Sequence, residues 1–490
     1  MALTLMKLSR RDLIRYSAGA LAVTQLKAGA LEVNDVHSQL NRTRVAGIVR
    51  PDHLEDLRAA ILTARREGLY VSVSGSRHSM GGQQFGTGAL LLDIRGLNRV
   101  TNFDPGKRII EAQAGIEWPE LLAAIDQTRS GLGIFQKQTG ADRLSLGGAL
   151  ASNVHGRGLN LKPIIDNVES FEFMNASGEI VRCDRTHNPE LFRLAIGGYG
   201  MFGVVTSIQL RLRPRVKVRR VVELAETAAI PDKFAARIRD GYLYGDFQFA
   251  TDSTRDSFLR RGVFSCYQPV EDSTPLTENP TRFHPDDWAR LTRYSHTNKR
   301  RAFDVYTSRY LATSGQVYYH DWQLSAAYQP GYHEALDRTM HAKVKATEMI
   351  TEIYVPRTAL VEFMEEARMA LREQKANVIY GTVRLIERDD ESFLRWARQN
   401  WACVIFNLHI THDAAGIAAA ARAFRTLIDI GIHYEGSYYL TYHRWATRKQ
   451  VETCYPQVPE FLRLKRQYDP EESFQSDWYM HNKNLFKEAL

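Results

Sequence analysis

Three glycine-rich segments constrain the fold of this 490-residue chain more than any other feature of its sequence. They span residues 74–83, 145–156 and 197–203, and each adjoins a predicted strand or helix. Glycines let the backbone approach a ligand closely, because no Cβ atom stands in the way, and their N–H groups can converge on an anion. The chain is therefore expected to fold these segments around a flat or anionic ligand.

Helices and strands are predicted to alternate around these segments. Hydrophobic periodicity predicts helices at residues 53–67, 118–127 and 189–195, and strands at residues 70–73, 89–93, 109–113, 168–174, 179–182 and 204–212. Further along the chain, longer helices at residues 358–374 and 414–428 alternate with strands at residues 349–354, 378–386 and 403–409. This pattern predicts an α+β protein whose second domain is built on a mixed sheet.

The third segment contains the spacing G-x-G-x-x-G from Gly198 to Gly203, which also occurs in dinucleotide-binding folds. Those folds place the glycines after a strand and before a helix. Here a predicted helix precedes the glycines and a predicted strand follows them. The spacing therefore does not support a fold of that class.

Charge and cysteine spacing narrow the possible partners. The chain has a formal charge of +8, and its Lys and Arg residues are spread along the sequence. Such an excess indicates either a solvated basic surface or an anionic ligand, and no nucleic-acid-binding motif accompanies it, so no nucleic acid partner is expected. The four cysteines lie far apart without a C-x-x-C pair, so no metal site is expected, and a single disulfide is the alternative.

The first thirty residues differ from the rest of the chain. Arg10 and Arg11 precede a short apolar run at residues 16–26, and a small-x-small pattern follows at residues 28–30. This order predicts a secretory signal of the twin-arginine class and hence a periplasmic protein. The alternative is an amphipathic N-terminal helix on a cytoplasmic protein. The apolar run is too short to span a bilayer, so no stable membrane anchor is expected.

His78 is the unusual residue of the first segment, because a loop that binds phosphate does not need a histidine. By itself, a histidine among glycines and serines is typical of a solvated turn. The first segment around Gly75 and residues 77–79, together with residues 145–156 and 200–206, resembles the FAD-binding half of the vanillyl-alcohol-oxidase superfamily, the PCMH-type domain. The three motifs occur in the same order as in that family.

The resemblance implies how the chain is organised. A two-lobed α+β FAD-binding PCMH-type domain is expected at residues 46–215, after the signal at residues 1–30 and a linker at residues 31–45. A substrate or cap domain is expected at residues 216–450. The closing residues 451–490 are expected to return to the FAD-binding domain.

Carried over by position, the resemblance implies cofactor contacts from all three segments. The residues concerned are Gly75, Ser76, Arg77, His78, Ser79, Gln83, Ser145, Gly148, Ser152, Asn153, Val154, His155 and Val205. His78 would carry a covalent bond to FAD. Relatives with a second such bond have a cysteine ahead of the second segment, where this chain has Gly-Ala-Asp at residues 140–142, so a single bond is expected.

The second domain carries the information about the substrate. Residues 381–384 and 407–411 are similar to aldonolactone and alditol oxidases, although Thr382 stands where those enzymes have a glutamate and residues 442–445 lack the matching lysine. We expect FAD-dependent hydride transfer from a small alcohol, polyol or lactone, with oxygen or another molecule as the electron acceptor. The loop at residues 78–83 also resembles cytokinin dehydrogenases, so C–N oxidation is one alternative, and flavin binding without turnover is another.

Three residues are candidates for the chemical step. Arg384 is expected to stabilise negative charge at the reduced flavin or the substrate, and His409 or His443 is expected to act as the base. The alternatives are structural. Arg384 could form a salt bridge with Asp389 or Asp390, and either histidine could be a packed or surface residue.

Overall fold

The computed structural model describes residues 31–324 and 331–490, so the predicted export signal lies outside the described residues and stays a prediction. The strands up to residue 215 are β1 (Leu31–Val33), β2 (Thr43–Val45), β3 (Gly47–Val49), β4 (Val71–Ser74), β5 (Leu90–Asp93), β6 (Val100–Asp104), β7 (Ile109–Gln113), β8 (Leu132–Gly133), β9 (Val168–Met174), β10 (Ile180–Asp184), β11 (Val204–Arg211) and β12 (Arg213–Pro214). The helices of this part are α1 (Leu54–Arg66), α2 (Trp118–Gln127), α3 (Leu146–Ser152) and α4 (Pro189–Ala195).

These strands form two main sheets. The first is parallel, in the order β3-β5-β4, and the second is antiparallel, in the order β10-β9-β11-β7-β6. All four residues of the central strand β5 are buried, as is usual for a parallel strand covered on both faces. The preceding helix α1 buries Leu57, Ala60 and Ile61 at helical spacing, which is the amphipathic pattern that predicted it.

The three glycine-rich segments follow or precede elements of both sheets. The first segment begins at the end of β4, the second contains α3, and the third lies between α4 and β11. Helix α4 therefore precedes the glycines and β11 follows them, as the sequence predicted. This order differs from the strand–glycine–helix order of dinucleotide-binding folds.

The rest of the chain is built on one large sheet. Its strands are β13 (Lys217–Glu226), β14 (Tyr244–Phe249), β15 (Arg261–Pro269), β16 (Val317–Tyr319), β17 (Ala346–Pro356), β18 (Val378–Ile386), β19 (Trp401–Thr411) and β20 (Ser437–Tyr438). Its helices are α5 (Ile230–Arg239), α6 (Pro285–Thr297), α7 (Lys299–Leu311), α8 (Tyr332–Thr339), α9 (Leu360–Glu373) and α10 (Ala414–His433), and three more follow, α11 (Arg448–Cys454), α12 (Val458–Tyr468) and α13 (Asp477–Leu485).

The eight strands are ordered β16-β13-β15-β14-β18-β19-β17-β20. The α+β class is as expected. Where the sequence predicted a mixed sheet in this domain, the described pairings are antiparallel, and parallel pairing is found in the β3-β5-β4 sheet. Antiparallel neighbours need no crossover helix, and β18 is joined to β19 by a loop without one.

The alternation of side chains on β17 separates the two faces of this eight-stranded sheet. Helix α10 covers one face, where Gly431 lies against Ile353. Ile350 and Glu352 therefore lie on the opposite face, and this face is turned toward the glycine-rich segments.

The last residues of the chain contact the first sheet. The N–H of Val71 in β4 donates to the Ser473 carbonyl at 2.7 Å, and the N–H of Gln475 donates to the Val71 carbonyl at 2.9 Å. The Asp477 carboxylate accepts from the N–H of Thr87 at 2.9 Å. Within the described ranges, no helix is long and apolar enough to cross a membrane.

Candidate functional site

A cavity of about 960 Å³ separates the glycine-rich segments from the eight-stranded sheet. Its size is at the upper end of the range for ligand pockets, about 300–1,000 Å³. One wall consists of the glycine-rich segments, which we call the glycine wall. The opposite wall consists of side chains from β17, β18, β19 and the residues that follow β20, and we call it the sheet wall.

The glycine wall brings together nearly all of the predicted cofactor contacts. Those that line the cavity are Gly75, Ser76, Arg77, His78, Ser79, Gln83, Ser145, Gly148, Ser152, Val154, His155 and Val205. Asn153 is not in the lining. Its side-chain NH₂ donates to Asp389 Oδ2 at 3.0 Å, and its Oδ1 accepts from the N–H of Ile165 at 3.1 Å. The structure therefore gives Asn153 a tethering position between α3 and the loop after β18.

The first and second glycine-rich segments touch each other at Gly75. A Cβ atom at this position would lie 1.9 Å from Ser145 Oγ, so only glycine allows the contact. Ser145 is itself fixed as the N-cap of α3, where its Oγ accepts from the N–H of Gly148 at 3.3 Å. The backbone of the glycine wall is thus held in place before any ligand binds.

Arg77 has the backbone geometry and charge of a binding residue. Its φ of 61° lies in the left-handed region, which costs free energy for a residue with a side chain and often marks functional loops. Burial lowers the pKa of its guanidinium, and Asp93, with Oδ2 3.7 Å from Arg77 Nη2, opposes that shift.

His78 lies half-buried at the cavity surface with both ring nitrogens in contact with the protein. Nδ1 is 2.7 Å from His37 Nε2, and Nε2 is 2.8 Å from the Arg143 carbonyl oxygen. Burial lowers the pKa of His78 to about 4, so the imidazole is neutral at pH 7. Sequence reasoning missed His37, because it lies in the predicted linker 41 residues upstream.

Arg384 projects from β18 into the cavity. Its Nε atom is buried and has no hydrogen-bond partner among the described residues. The carboxylates considered as its salt-bridge partners are engaged elsewhere. Asp389 accepts from Asn153, and Asp390 forms ion pairs with Arg388 at 2.5 Å and Lys162 at 3.7 Å. These contacts leave the Arg384 guanidinium available to a ligand.

The two histidines expected to supply the base are not in the cavity lining. His443 is buried among aromatic rings, with Tyr438 stacked on it at 5.9 Å, and burial lowers its pKa to about 3. His409 lies near the end of β19, where its Nδ1 is 3.6 Å from Glu348 Oε1. Neither position allows direct contact with a ligand in this cavity.

The sheet wall instead presents Glu352, which sequence reasoning missed. Its Oε1 accepts from the Tyr442 hydroxyl at 2.7 Å, and its Oε2 contacts His155 Nε2 at 2.8 Å and the Tyr354 hydroxyl at 3.0 Å. Burial by itself would raise the pKa of Glu352, but His155, Tyr442 and Arg384 together hold it below its ordinary value. Glu352 is therefore ionised. The signal in the sequence was a pair of glutamates four residues apart, Glu348 and Glu352, which the alternation of a strand places on one face.

The end of the cavity beyond Arg384 is both cationic and aromatic. Arg157 Nη1 lies 3.5 Å from Asp246 Oδ1, and the Arg220 guanidinium stacks over the Tyr310 ring at 4.4 Å. Further rings complete this end, namely Phe283, Trp288, Tyr267, Tyr306, Tyr318 and Tyr380. Arg157, Arg220 and the Asp246 carboxylate line this end, so it suits a polar ligand that accepts hydrogen bonds.

Comparison with known proteins agrees with the geometry of the glycine wall. A family model described as an FAD binding domain matches residues 45–184. The chain is 33% identical to an oxidoreductase of the fasciation locus of Rhodococcoides fascians over 168 residues, 34% of this chain and 37% of that protein. It is 24% identical to L-gulono-1,4-lactone dehydrogenase of Mycobacterium tuberculosis over 438 residues, 88% of this chain and 95% of that protein. It is 22% identical to decaprenylphosphoryl-beta-D-ribose oxidase of Mycolicibacterium smegmatis over 433 residues, 86% of this chain and 91% of that protein.

The chain is an FAD-dependent oxidoreductase with an FAD binding domain at residues 45–184. The glycine wall of this flavoprotein fits its cofactor. Arg77 Nε is buried without a hydrogen-bond partner among the described residues, and a pyrophosphate oxygen would supply one. The close contact of Gly75 with Ser145 lets the first and second glycine-rich segments lie side by side along the cavity.

Proposed function

We propose that this flavoprotein oxidises a small, hydroxyl-bearing substrate, and that its FAD is bonded covalently to His78. The observation that carries the proposal is the position of Arg384, Glu352 and Tyr442 on the sheet wall, opposite the FAD-binding segments. Two similar proteins support the substrate class, since their names describe enzymes that act on a lactone and on a ribose derivative.

The surroundings of His78 suit a covalent bond to FAD. Its pKa of about 4 leaves the imidazole neutral, so a ring nitrogen has a lone pair to give. One nitrogen would exchange its protein contact for the bond to FAD, and the other would keep its contact with His37 or with the Arg143 carbonyl. The remaining contact would orient the ring while the bond forms.

The sheet wall supplies the groups that a hydroxyl substrate requires. The glycine wall would hold FAD, which would supply the acceptor for a hydride from the carbon that carries the hydroxyl group. Glu352, which is ionised, takes the hydroxyl proton through Tyr442, whose phenol already donates to Glu352 Oε1 at 2.7 Å. Burial, together with Glu352, raises the pKa of Tyr442 well above its ordinary value, so this phenol keeps its own proton at rest. Arg384 stabilises the negative charge that develops on the substrate oxygen.

The cationic end of the cavity would hold the rest of the substrate. Arg157 and Arg220 are long, half-buried donors beside a set of tyrosine rings. Such a surface favours a substrate with several hydroxyl groups or with a carboxylate or phosphate group, because the arginines then gain acceptors.

A visible spectrum before and after acid precipitation tests the cofactor. We expect yellow colour to stay with the precipitated wild-type protein and to be absent from the precipitate of His78→Ala. Colour that is released from the wild-type precipitate would contradict the covalent bond but leave the flavoprotein assignment intact.

Anaerobic mixing with a substrate panel tests the reaction. We expect sugar alcohols, aldonolactones or their acidic derivatives to bleach the flavin absorbance. Bleaching by amines alone would favour C–N oxidation on the same scaffold, and bleaching by none of the compounds would favour flavin binding without turnover.

A further inference from the structure

A second group of buried ionisable side chains lies outside the FAD cavity. It comprises Glu348 on β17, His409 on β19, His296 at the end of α6 and His333 on α8. The sheet register places Glu348 directly opposite His409. The side chains of His296, His333 and Glu348 are 1%, 2% and 4% exposed, and that of His409 is 16% exposed.

Three atoms of this group converge on one point. Glu348 Oε1 lies 3.0 Å from His296 Nε2 and 3.6 Å from His409 Nδ1. These three atoms all lie within 4.8 Å of one another. None of the three has a hydrogen-bond partner among the described residues, although each is buried and polar.

The other carboxylate oxygen of Glu348 is engaged in a different way. Glu348 Oε2 accepts from the Tyr332 hydroxyl and lies 2.9 Å from His333 Nδ1. These contacts fix the plane of the carboxylate and direct Oε1 toward His296 and His409. Partners of this kind commonly orient the ligands of metal ions.

A comparison with Glu352 shows that the Glu348 group is unusual. His155 Nε2 contacts Glu352 at 2.8 Å with hydrogen-bond geometry, and the hydroxyls of Tyr442 and Tyr354 both donate to that carboxylate. The contact between His296 and Glu348 is nearly as short but lacks hydrogen-bond geometry. The His296, Glu348 and His409 atoms therefore lie within 4.8 Å of one another without a hydrogen bond among them.

We propose that His296, Glu348 and His409 bind a divalent transition metal ion of the Zn²⁺ class, with His333 and Tyr332 orienting the glutamate. Bonds of about 2.0–2.1 Å in a tetrahedral site leave neighbouring ligand atoms about 3.3 Å apart, between the two distances found here. Two imidazoles and a carboxylate suit Zn²⁺ and its neighbours in the first transition row better than Ca²⁺ or Mg²⁺. The sequence did not predict this site, because its three ligands lie far apart in the chain and form no short motif.

The metal ion would join α6 to the eight-stranded sheet. Helix α6 contributes Trp288 and Leu291 to the lining of the FAD cavity, yet none of its residues is buried as a whole. A helix with so little apolar burial gains little from packing. A bond from His296 to a metal ion on β17 and β19 would fix it as part of the cavity wall.

Metal analysis of the FAD-loaded full-length protein tests the proposal independently of the proposed reaction. After dialysis against a chelator and then against Zn²⁺, we expect about one Zn²⁺ per wild-type chain. Glu348→Gln and His296→Ala should lose it, whereas His433→Ala, which removes an exposed histidine of α10, should keep it. Co²⁺ should give a visible band at wavelengths longer than those of the flavin, in the wild type only.

Two results would overturn the proposal. One is a wild-type protein that takes up neither Zn²⁺ nor Co²⁺. The other is equal uptake by the wild type and by Glu348→Gln and His296→Ala variants that retain their flavin spectrum. If the variants fail to fold, the wild type decides the question, since binding should raise its Tm by at least about 2 °C on addition of Zn²⁺.

Discussion

The two walls of the FAD cavity are built in different ways. The glycine wall consists of short segments whose backbone geometry is set within a few residues, as at Arg77 with its φ of 61°. The sheet wall consists of side chains that strand pairing brings together, as Ile405 on β19 lies directly opposite Glu352 on β17. Backbone constraints are visible in a sequence, whereas strand register is not. Cofactor contacts are therefore easier to predict here than substrate contacts.

Substitutions in the glycine wall should be most damaging where the first and second glycine-rich segments touch each other. Gly75→Ala would place a Cβ atom 1.9 Å from Ser145 Oγ, and such overpacking costs about 1–3 kcal/mol in the free energy of unfolding. We expect the purified variant to retain almost no FAD, measured by its visible absorbance. Gly140→Ala is the matched control, because a Cβ atom there meets nothing within 4 Å although Gly140 also lines the cavity. Equal loss of FAD in both variants would contradict the importance of the Gly75 contact.

Substitutions in the sheet wall should instead lower the rate of flavin reduction and leave FAD bound. Glu352→Gln removes the proposed proton acceptor, so the rate of flavin reduction should fall about 10²- to 10⁴-fold at unchanged FAD content. Tyr442→Phe removes the hydroxyl that relays the proton, together with its 2.7 Å hydrogen bond to that carboxylate, so a loss of the same order is expected. Stopped-flow measurement of flavin reduction checks both. Loss of FAD from Glu352→Gln would show that the two walls are not independent.

Substitution of His443 should have the smallest effect on turnover. It tests whether this histidine serves packing or the chemical step. Its pKa of about 3 in the folded protein lies below the ordinary value near 6.5, so between these values the unfolded chain binds one more proton. The free energy of unfolding should therefore decrease as pH falls from about 6.5 toward 3, by up to about 1.4 kcal/mol per pH unit from this residue.

Replacing His443 should remove that contribution. In His443→Gln we expect a weaker dependence of the unfolding free energy on pH between 7 and 5, measured by denaturant titration. Turnover should stay within about threefold of the wild type, since the side chain does not line the cavity. A loss of turnover beyond about 100-fold with FAD retained would instead support a role for His443 in the chemical step.

Much of the fold followed from local pattern. The helices α2 and α4 and the strands β7, β9 and β18 have the bounds that hydrophobic periodicity predicted. Strands β17 and β19 are longer than predicted, at Ala346–Pro356 and Trp401–Thr411. The two strands pair along their whole length, which stabilises end residues that lack a strong pattern of their own.

In the candidate site, too, local sequence predicted some residues and only packing decided the contacts of others. Arg384 was found from its motif, and its position on β18 agrees with the strand predicted there. The choice between a salt bridge and a free guanidinium required the structure, because Asp389 turned out to bind Asn153, which is 236 residues away in sequence. Asn153 was assigned to the cofactor from its position in the second motif. Its neighbours Ser152 and Val154 do line the cavity, but Asn153 does not.

The sequence by itself determined where the backbone must bend and approach a ligand, at residues 74–83, 145–156 and 197–203, and the motifs there carried the resemblance to FAD-binding proteins. Only the tertiary structure decided which side chains meet. It joins His78 to His37, Glu352 to Tyr442 and Glu348 to His296, pairs that are separated by 41, 90 and 52 residues in the chain. The physical reason is the range of the constraint. A glycine acts on its own backbone and near neighbours, whereas a carboxylate acquires its partners only when distant strands and helices pack around it.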